Sequence, residues 1–351
     1  MKRFFVLFCL VCVMMSLAPV HTAAEDLPAP SESPAPSEEP AEQSDSPWQA
    51  LLGFASDPET AKEPEDMFFS LDEAYSQDDE NGIWWYMSDS CSIFIRRHNT
   101  TVTSENNRTY PQVYYSAHIF MRNYNSFRTG FASEQENGIS LEDGWRIARR
   151  ERAVLAITGD NVIQQDTDKK GVIIRHGKVY LNNRRESFCA IKDDLTMEVF
   201  QRDTAKAEDL MEQGIRETMS FGPWLIQDGV ANDRVHLFRV NRVNPRVGVG
   251  QIAKGHFLVL VADGRQGNYS YGLTLTQFLQ LFVDAGCEQA YNMDGGCSTG
   301  LIFMGEHLNR HDGTPGAADY QRDWPDALMW GYSELVPTED EPLLHNGNQE
   351  G

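Results

Sequence analysis

Between residues 91 and 264 the chain is cut into short runs of β-branched and aromatic residues, and that segmentation limits the fold more than any other feature. "CSIFIR", "QVYYSAHIFM", "AVLAIT", "GVIIRHGKVYL", "SFCAI", "MEVF" and "HFLVLVADG" follow one another, bounded by Gly, Asn or Asp. Runs of this length and composition suit strands, because side chains branched at Cβ pack well on a pleated surface. The pattern predicts hairpins turning at His176-Gly177 and at Asp193-Asp194. Helical spacing occurs in two places. "TAKAEDLMEQGIRETM" sets Ala207, Leu210, Met211 and Gly214 on one stripe, extended by Ile215 and Met219. "TLTQFLQLFVDAG" puts Leu275, Phe278, Leu279 and Phe282 on one face, with Thr274 and Gln277 as a capping box and Gly286 as a stop. Many strands with few helices predict the α+β class: a mixed β-sheet core with a few flanking helices in a single domain.

The ends of the chain read differently. Lys2 and Arg3 precede the apolar run "FFVLFCLVCVMMSLA", too short to span a bilayer comfortably, and "HTAA" offers a cleavage site after Ala24. Residues 1–24 are therefore expected to be an export signal; an uncleaved membrane anchor is the alternative. Cys9 and Cys12 lie inside the apolar run, so no lipobox is present. Residues 25–66, rich in Pro, Glu, Ser and Ala, read as a disordered acidic linker, since they cannot bury enough apolar surface to offset chain entropy. They hold twelve acids against one base, a net −11 and half of the chain's −22. The domain is expected over 67–337 and a flexible tail over 338–351. The domain also carries negative charge with no basic stripe, which argues against nucleic acid as a partner. Cys91, Cys189, Cys287 and Cys297 have no zinc-ligand spacing, and an oxidising compartment would permit a disulfide among them. A secreted or cell-surface protein without stable membrane insertion is expected once the signal is removed.

The chemistry gathers near the C-terminal half. "HFLVLVADGR", the 274–286 helix and "CEQAYNMDGG" form a strand, a helix and a second strand, a βαβ-like unit. Parallel neighbours would bring both strand ends to one sheet edge and set Asp263 and Arg265 near Asn292 and Asp294. Asp294 and Asp263 are candidate acids, bases or nucleophiles. Gly295 and Gly296 let backbone N–H groups approach a ligand, Ser298 and Thr299 add hydroxyls, and Arg246 and Arg265 supply planar forks suited to phosphate. Taken singly, "DGG" and "DGR" are ordinary turns, Arg246 a surface ion-pair partner, and Cys297 a packed small residue or half of a bridge. Ser298 lies in no nucleophile elbow, and the histidines are scattered.

Together the motifs resemble the phosphodiester glycosidase family. "AYNMDGGCSTG" is similar to the family's "DGGGSS" line after a helix, preceded by "DGR" and by the arginine of "NPRVGVGQ". "AITGDNV" lies where the family has an "NGD" turn, and "FGPWLIQDGV", "MGEHLNR" and "QRDWPDALMWG" match further segments. The resemblance covers roughly 153–332 and implies an active site of Asp160, Arg246, Asp263, Arg265, Asn292, Asp294, Gly295, Gly296 and Ser298, with Asn309 and Arg322 from the later segments. This chain departs from the family line at Cys297 (for Gly), Thr299 (for Ser) and Thr158 (for Asn). The implied activity is cleavage of sugar-1-phosphodiesters in envelope or extracellular glycans, possible substrates including N-acetylglucosamine-1-phosphodiesters. Arg246 and Arg265 would bind the phosphodiester, and Asp294, partnered by Asp263 or Asp160, would act on the sugar. A non-catalytic binder of phosphorylated glycans is the alternative. No cofactor is implied; a cation such as calcium held by Asp160, Asp263 and Asp294 is a further reading.

Overall fold

Antiparallel pairing organises the apolar runs into two large packed sheets and three small ones, in a computed structural model that describes residues 67–68, 73–132, 134–135, 138–160, 170–310 and 322–342. The expected signal, the linker and residues 343–351 lie outside the described residues. The chain begins with a meander of β1 (Ala74–Asp78), β2 (Ile83–Met87), β3 (Cys91–Thr103) and β4 (Thr109–Met121). Later come β5 (Phe127–Phe131), a small hairpin of β6 (Glu134–Gln135) and β7 (Gly138–Ile139), and β8 (Ala153–Thr158). The hairpin β9 (Val172–Arg175) and β10 (Lys178–Asn182) turns at His176 and Gly177, both at positive φ (51° and 71°) as a two-residue loop requires. A separate three-stranded sheet joins β11 (Phe188–Ile191), β12 (Met197–Phe200) and β13 (Thr218–Met219). The remaining strands are β14 (Trp224–Gln227), β15 (Val230–Ala231), β16 (Arg246–Ala253), β17 (His256–Ala262), β18 (Gln289–Asn292), β19 (Leu301–Phe303), β20 (Glu306–His307) and β21 (Asp326–Tyr332).

The large sheet has the order β1-β2-β3-β4-β17-β16-β18-β14-β15, and a second runs β20-β19-β8-β21-β5. Side-chain alternation shows how they stack. Phe257, Val259 and Val261 of β17 join one core with Leu155 and Ile157 of β8 and Leu328 and Trp330 of β21. The alternate residues Leu258, Leu260 and Ala262 join a second core with Leu275, Phe278 and Phe282. One face of the large sheet thus packs on the second sheet and the other on a helix, consistent with the continuous apolar sequence of β17.

Three α-helices are present among the described residues: α1 (Gly144–Arg150), α2 (Ala207–Glu212) and α3 (Leu275–Asp284). α3 is the helix that the periodicity predicts. The Thr274 hydroxyl accepts from Gln277 N at 3.2 Å, the Gln277 side chain accepts from Thr274 N at 2.9 Å, and Gly286 takes φ 73° just past the end. Gly248 on β16 admits the helix closely, since a Cβ there would lie 2.9 Å from Phe278. α2 is much shorter than the stripe over 204–219 predicts. Gly214, at φ 82°, turns the chain out of the helix, and Thr218 and Met219 pair instead with Ala190 and Cys189 as a strand. α1 was not predicted; Ile147 and Ala148 pack it on the outer face of the second sheet. None of these helices, nor any other among the described residues, is long and apolar enough to cross a membrane.

Two further expectations change. β17 and β18 are not neighbours: β16 lies between them, antiparallel to both, so they run in the same direction one strand apart. Residues 338–342 pack on α1, where Arg149 donates to the carbonyls of Thr338 (3.4 Å) and Glu341 (3.2 Å). The four cysteines among the described residues are free thiols; Cys91, Cys189 and Cys287 are buried and Cys297 half-buried.

Candidate active site

The antiparallel insertion of β16 is what assembles the site. Arg246, the first residue of β16, pairs with Ala262, the last of β17, and Gly248 pairs with Asn292, the last of β18. The start of one strand and the ends of two therefore share an edge. The second sheet reaches the same edge through the end of β8: Asp294 N donates to Gly159 O at 3.2 Å, and Gly159 N donates to Asp326 O at 3.1 Å.

At this edge lies a cavity of about 450 Å³ whose wall includes Arg239, Arg242, Arg246, Arg265, Arg322 and Asp294, with Phe221, Gly295, Gly296 and Cys297. Five arginines face one carboxylate. Asp294 is 5% exposed. Its Oδ2 accepts from Arg322 Nη2 at 2.9 Å, and Arg322 also donates to Ser298 Oγ through Nε at 2.8 Å. Burial raises the Asp294 pKa above that of an ordinary aspartate, while Arg322, Ser298 and Lys170 pull it down. Arg246 donates to the carbonyls of Leu273 (3.1 Å), Val240 (2.5 Å) and Arg242. Among the described residues it pairs with no carboxylate. Burial, with the like charge of Arg265 adding, brings its pKa down to about 10, so it remains a cation near neutral pH.

The turn after β18 is shaped by contacts with these arginines. Arg265 donates to Asn244 Oδ1 at 2.8 Å and lies 3.2 Å from Cys297 Sγ. Gly296 has φ 62°, and a Cβ there would lie 3.1 Å from Arg265 Nη2. Cys297 is not at positive φ, so its replacement of glycine leaves the turn unstrained. Asp294, Gly295, Gly296, Arg246, Arg265 and Arg322 are thus brought together as the sequence suggests.

The other predicted site residues stand behind this wall. Asn292 donates to Gly222 O at 2.7 Å, fixing the turn that carries Phe221. Ser298 is buried beneath Arg322, and the Thr299 carbonyl accepts from Asn309 at 3.3 Å. Asp263 is fully buried and does not line the cavity. It accepts from Asn309 (3.1 Å), Tyr269 (3.1 Å) and Arg310 N (3.2 Å), and burial pushes its carboxyl up to about 7 despite these donors. Asp160, also fully buried, accepts from Arg175 at 2.8 Å and Ser220 N at 2.9 Å; Arg175 is 3.3 Å from Asp326. The three aspartates do not converge on a cation: no group of three or more His, Cys, Asp or Glu side chains suited to a metal exists among the described residues.

Sequence reasoning missed Phe221, Arg239 and Arg242 at the cavity and Arg175 and Asp326 behind it. A local signal existed for the arginines. "DRVHLFRVNRVNPR" holds Arg234, Arg239, Arg242 and Arg246 in a chain of net charge −22, a cluster that a search for a long basic stripe passes over.

Comparison with known proteins gives concordant results. The family model described as phosphodiester glycosidase matches residues 151–330, a span that includes every residue of the cavity wall named above. The SPbeta prophage-derived protein YomE of Bacillus subtilis strain 168 is 25% identical over 253 residues, covering 70% of this chain and 36% of YomE. The chain thus spans about a third of the length of that curated relative. The fold is similar to the catalytic domain of zebrafish N-acetylglucosamine-1-phosphodiester alpha-N-acetylglucosaminidase, solved auto-inhibited by its pro-peptide. The TM-score is 0.59 at 18% identity, covering 75% of this chain and 88% of that one.

Proposed function

The chain belongs to the phosphodiester glycosidase family, and from that premise we propose that it is an exported hydrolase of sugar-1-phosphodiesters in envelope or extracellular glycans. The observation that carries this reading is the single carboxylate, Asp294, set among five arginines in an open cavity at a sheet edge. Guanidinium forks match phosphate oxygens in geometry and charge. As the bond from the anomeric carbon to the ester oxygen breaks, its electron pair passes to the phosphate, and the fixed arginine cations meet the charge that develops there. Water supplies the hydroxyl to the anomeric carbon. Asp294 acts on that side as base or nucleophile, with Arg322 and the Ser298 hydroxyl favouring its ionised form against the cost of burial. Asp160 and Asp263, engaged behind the wall, hold the loops that position it.

The zebrafish protein's name makes N-acetylglucosamine the first sugar to try. Release of free sugar from an α-N-acetylglucosamine-1-phosphodiester is expected from the wild type. Asp294→Asn should lose about three orders of magnitude or more in kcat, as removal of an essential base or nucleophile does. Wild-type turnover in a folded Asp294→Asn protein would sink the assignment. Saturable binding of such diesters without product, across several sugars, would make the protein a binding module.

A further inference from the structure

The arginine cavity holds more positive charge than one phosphodiester can use. Asp294 answers Arg322 at 2.9 Å. A phosphodiester carries one negative charge, and the phosphomonoester left when the glycosidic bond breaks carries about two near neutral pH. Arg246 and Arg265 match even that product. Arg239 and Arg242 line the same cavity and are exposed, and neither forms an ion pair among the described residues. Two guanidinium groups are therefore left over once the scissile phosphate is bound.

The backbone that carries these two is fastened at both sides of the cavity. Residues 234–246 hold four arginines and no acid, in a chain of net charge −22. Asn241, between Arg239 and Arg242, accepts at Oδ1 from Thr276 N (3.0 Å) and from the Thr276 hydroxyl (3.2 Å) in the first turn of α3. Arg246 Nη2 donates to the carbonyls of Val240 (2.5 Å) and Arg242. The guanidinium assigned to the scissile phosphate thus also holds the segment that brings Arg239 and Arg242 to the wall. Like charges gathered in one concavity repel one another, and anions entering it relieve that repulsion. Arg322 stands with Asp294 on the anomeric side, whereas this segment stands with Arg246, so the surplus charge belongs to the alcohol side of the phosphate.

We infer that Arg239 and Arg242 bind a second phosphate of the same substrate, joined on the alcohol side of the scissile one. The inference rests on the phosphodiester reading of the cavity. Such a phosphate occurs in a diphosphate or as the next linkage of a polymer of phosphodiester units, and four derivatives of α-N-acetylglucosamine-1-phosphate separate these sources. Two carry one phosphate, esterified to methanol or to glycerol. Two carry a second: the methyl diphosphate, and the glycerol ester whose far hydroxyl bears a methyl phosphodiester. The methyl and glycerol esters match the last two in turn but lack the added charge. At least one two-phosphate compound should exceed its matched ester by about tenfold in kcat/KM, the value of one charge-assisted hydrogen bond, and which one does so identifies the source. In Arg239→Gln/Arg242→Gln that preference should fall below about threefold, whatever the loss common to all four. A wild-type preference below about threefold for both two-phosphate compounds would overturn the inference, as would a preference that the double variant keeps. Should nothing be hydrolysed, the hydrolase reading fails separately, and equilibrium binding of the same four compounds decides by the same two criteria.

Discussion

Replacing Arg175 by Met tests whether the carboxylates behind the cavity are scaffold. Arg175, Asp160 and Asp326 are each fully buried. The guanidinium touches Asp160 at 2.8 Å and Asp326 at 3.3 Å and donates to the carbonyls of Ile174 (3.1 Å) and Thr218. Methionine fills much of the volume but removes the cation and leaves two carboxylates in a dry interior. Stranding buried charge in this way costs about 3–5 kcal/mol. At roughly 2–4 °C per kcal/mol for a domain of this general size, Tm should fall by roughly 6–20 °C. The loss should depend on pH in a defined direction. Acid neutralises the stranded carboxylates, so stability relative to wild type should recover as pH falls. Adding Asp160→Asn and Asp326→Asn should restore part of the loss at neutral pH. Activity should also drop, because Gly159, beside Asp160, accepts from Asp294 N. Differential scanning calorimetry across a pH series reads the changes in stability, and a turnover assay reads the change in activity. A Tm within about 2 °C of wild type, a shift too small for a stranded buried charge, or a deficit that widens toward acid, would refute the reasoning.

Other consequences can be checked independently. If ionised Asp294 is the working form, kcat/KM should be lost as pH falls, with a midpoint above that of an exposed aspartate because burial raises its pKa; a midpoint in the ordinary aspartate range would contradict this. Asn309→Ala strands Asp263 Oδ1 and Leu301 N, which Asn309 contacts at 3.1 and 2.7 Å. At about 1–3 kcal/mol for each buried group left unpaired, chemical denaturation should show roughly 2–6 kcal/mol of destabilisation. Alkylation followed by peptide mapping should label Cys297 before Cys91, Cys189 or Cys287. The last three are buried, and burial pushes Cys91 and Cys287 up to about 12; simultaneous labelling of all four in folded protein would count against this packing.

Much of the fold was legible because strands and helices express themselves in local side-chain spacing. The α3 cap and stop are set by Thr274, Gln277 and Gly286 acting within a few residues of one another. The His176-Gly177 hairpin is equally local. The stripe from Ala207 misled because the same spacing continues past Gly214, where a positive φ ends the helix, and because the pairing of Thr218 and Met219 with β11 depends on residues nearly thirty positions away. At the site, the strand–helix–strand order and the "NMDGGCST" turn pointed to Asp294 and to arginines able to hold an anion. They could not show that β16 separates β17 from β18.

By itself, the sequence determined the kind of elements, the residues of the turn after β18 and the family to which the turn belongs, since each depends on spacing along a short stretch of chain. Only the tertiary structure decided which charged groups face solvent. Asp160, Asp263 and Asp294 look alike as letters, yet packing of the two sheets turns Asp160 toward Arg175 and Asp263 toward Asn309 and leaves Asp294 at the cavity. Arg239 and Arg242 lie on a connecting segment with no periodicity to reveal their direction, and they reach the cavity because β16 begins at that same edge. The physical reason is common to both cases. Exposure of an ionisable group is set by what packs against it from distant parts of the chain, and local spacing carries no record of that.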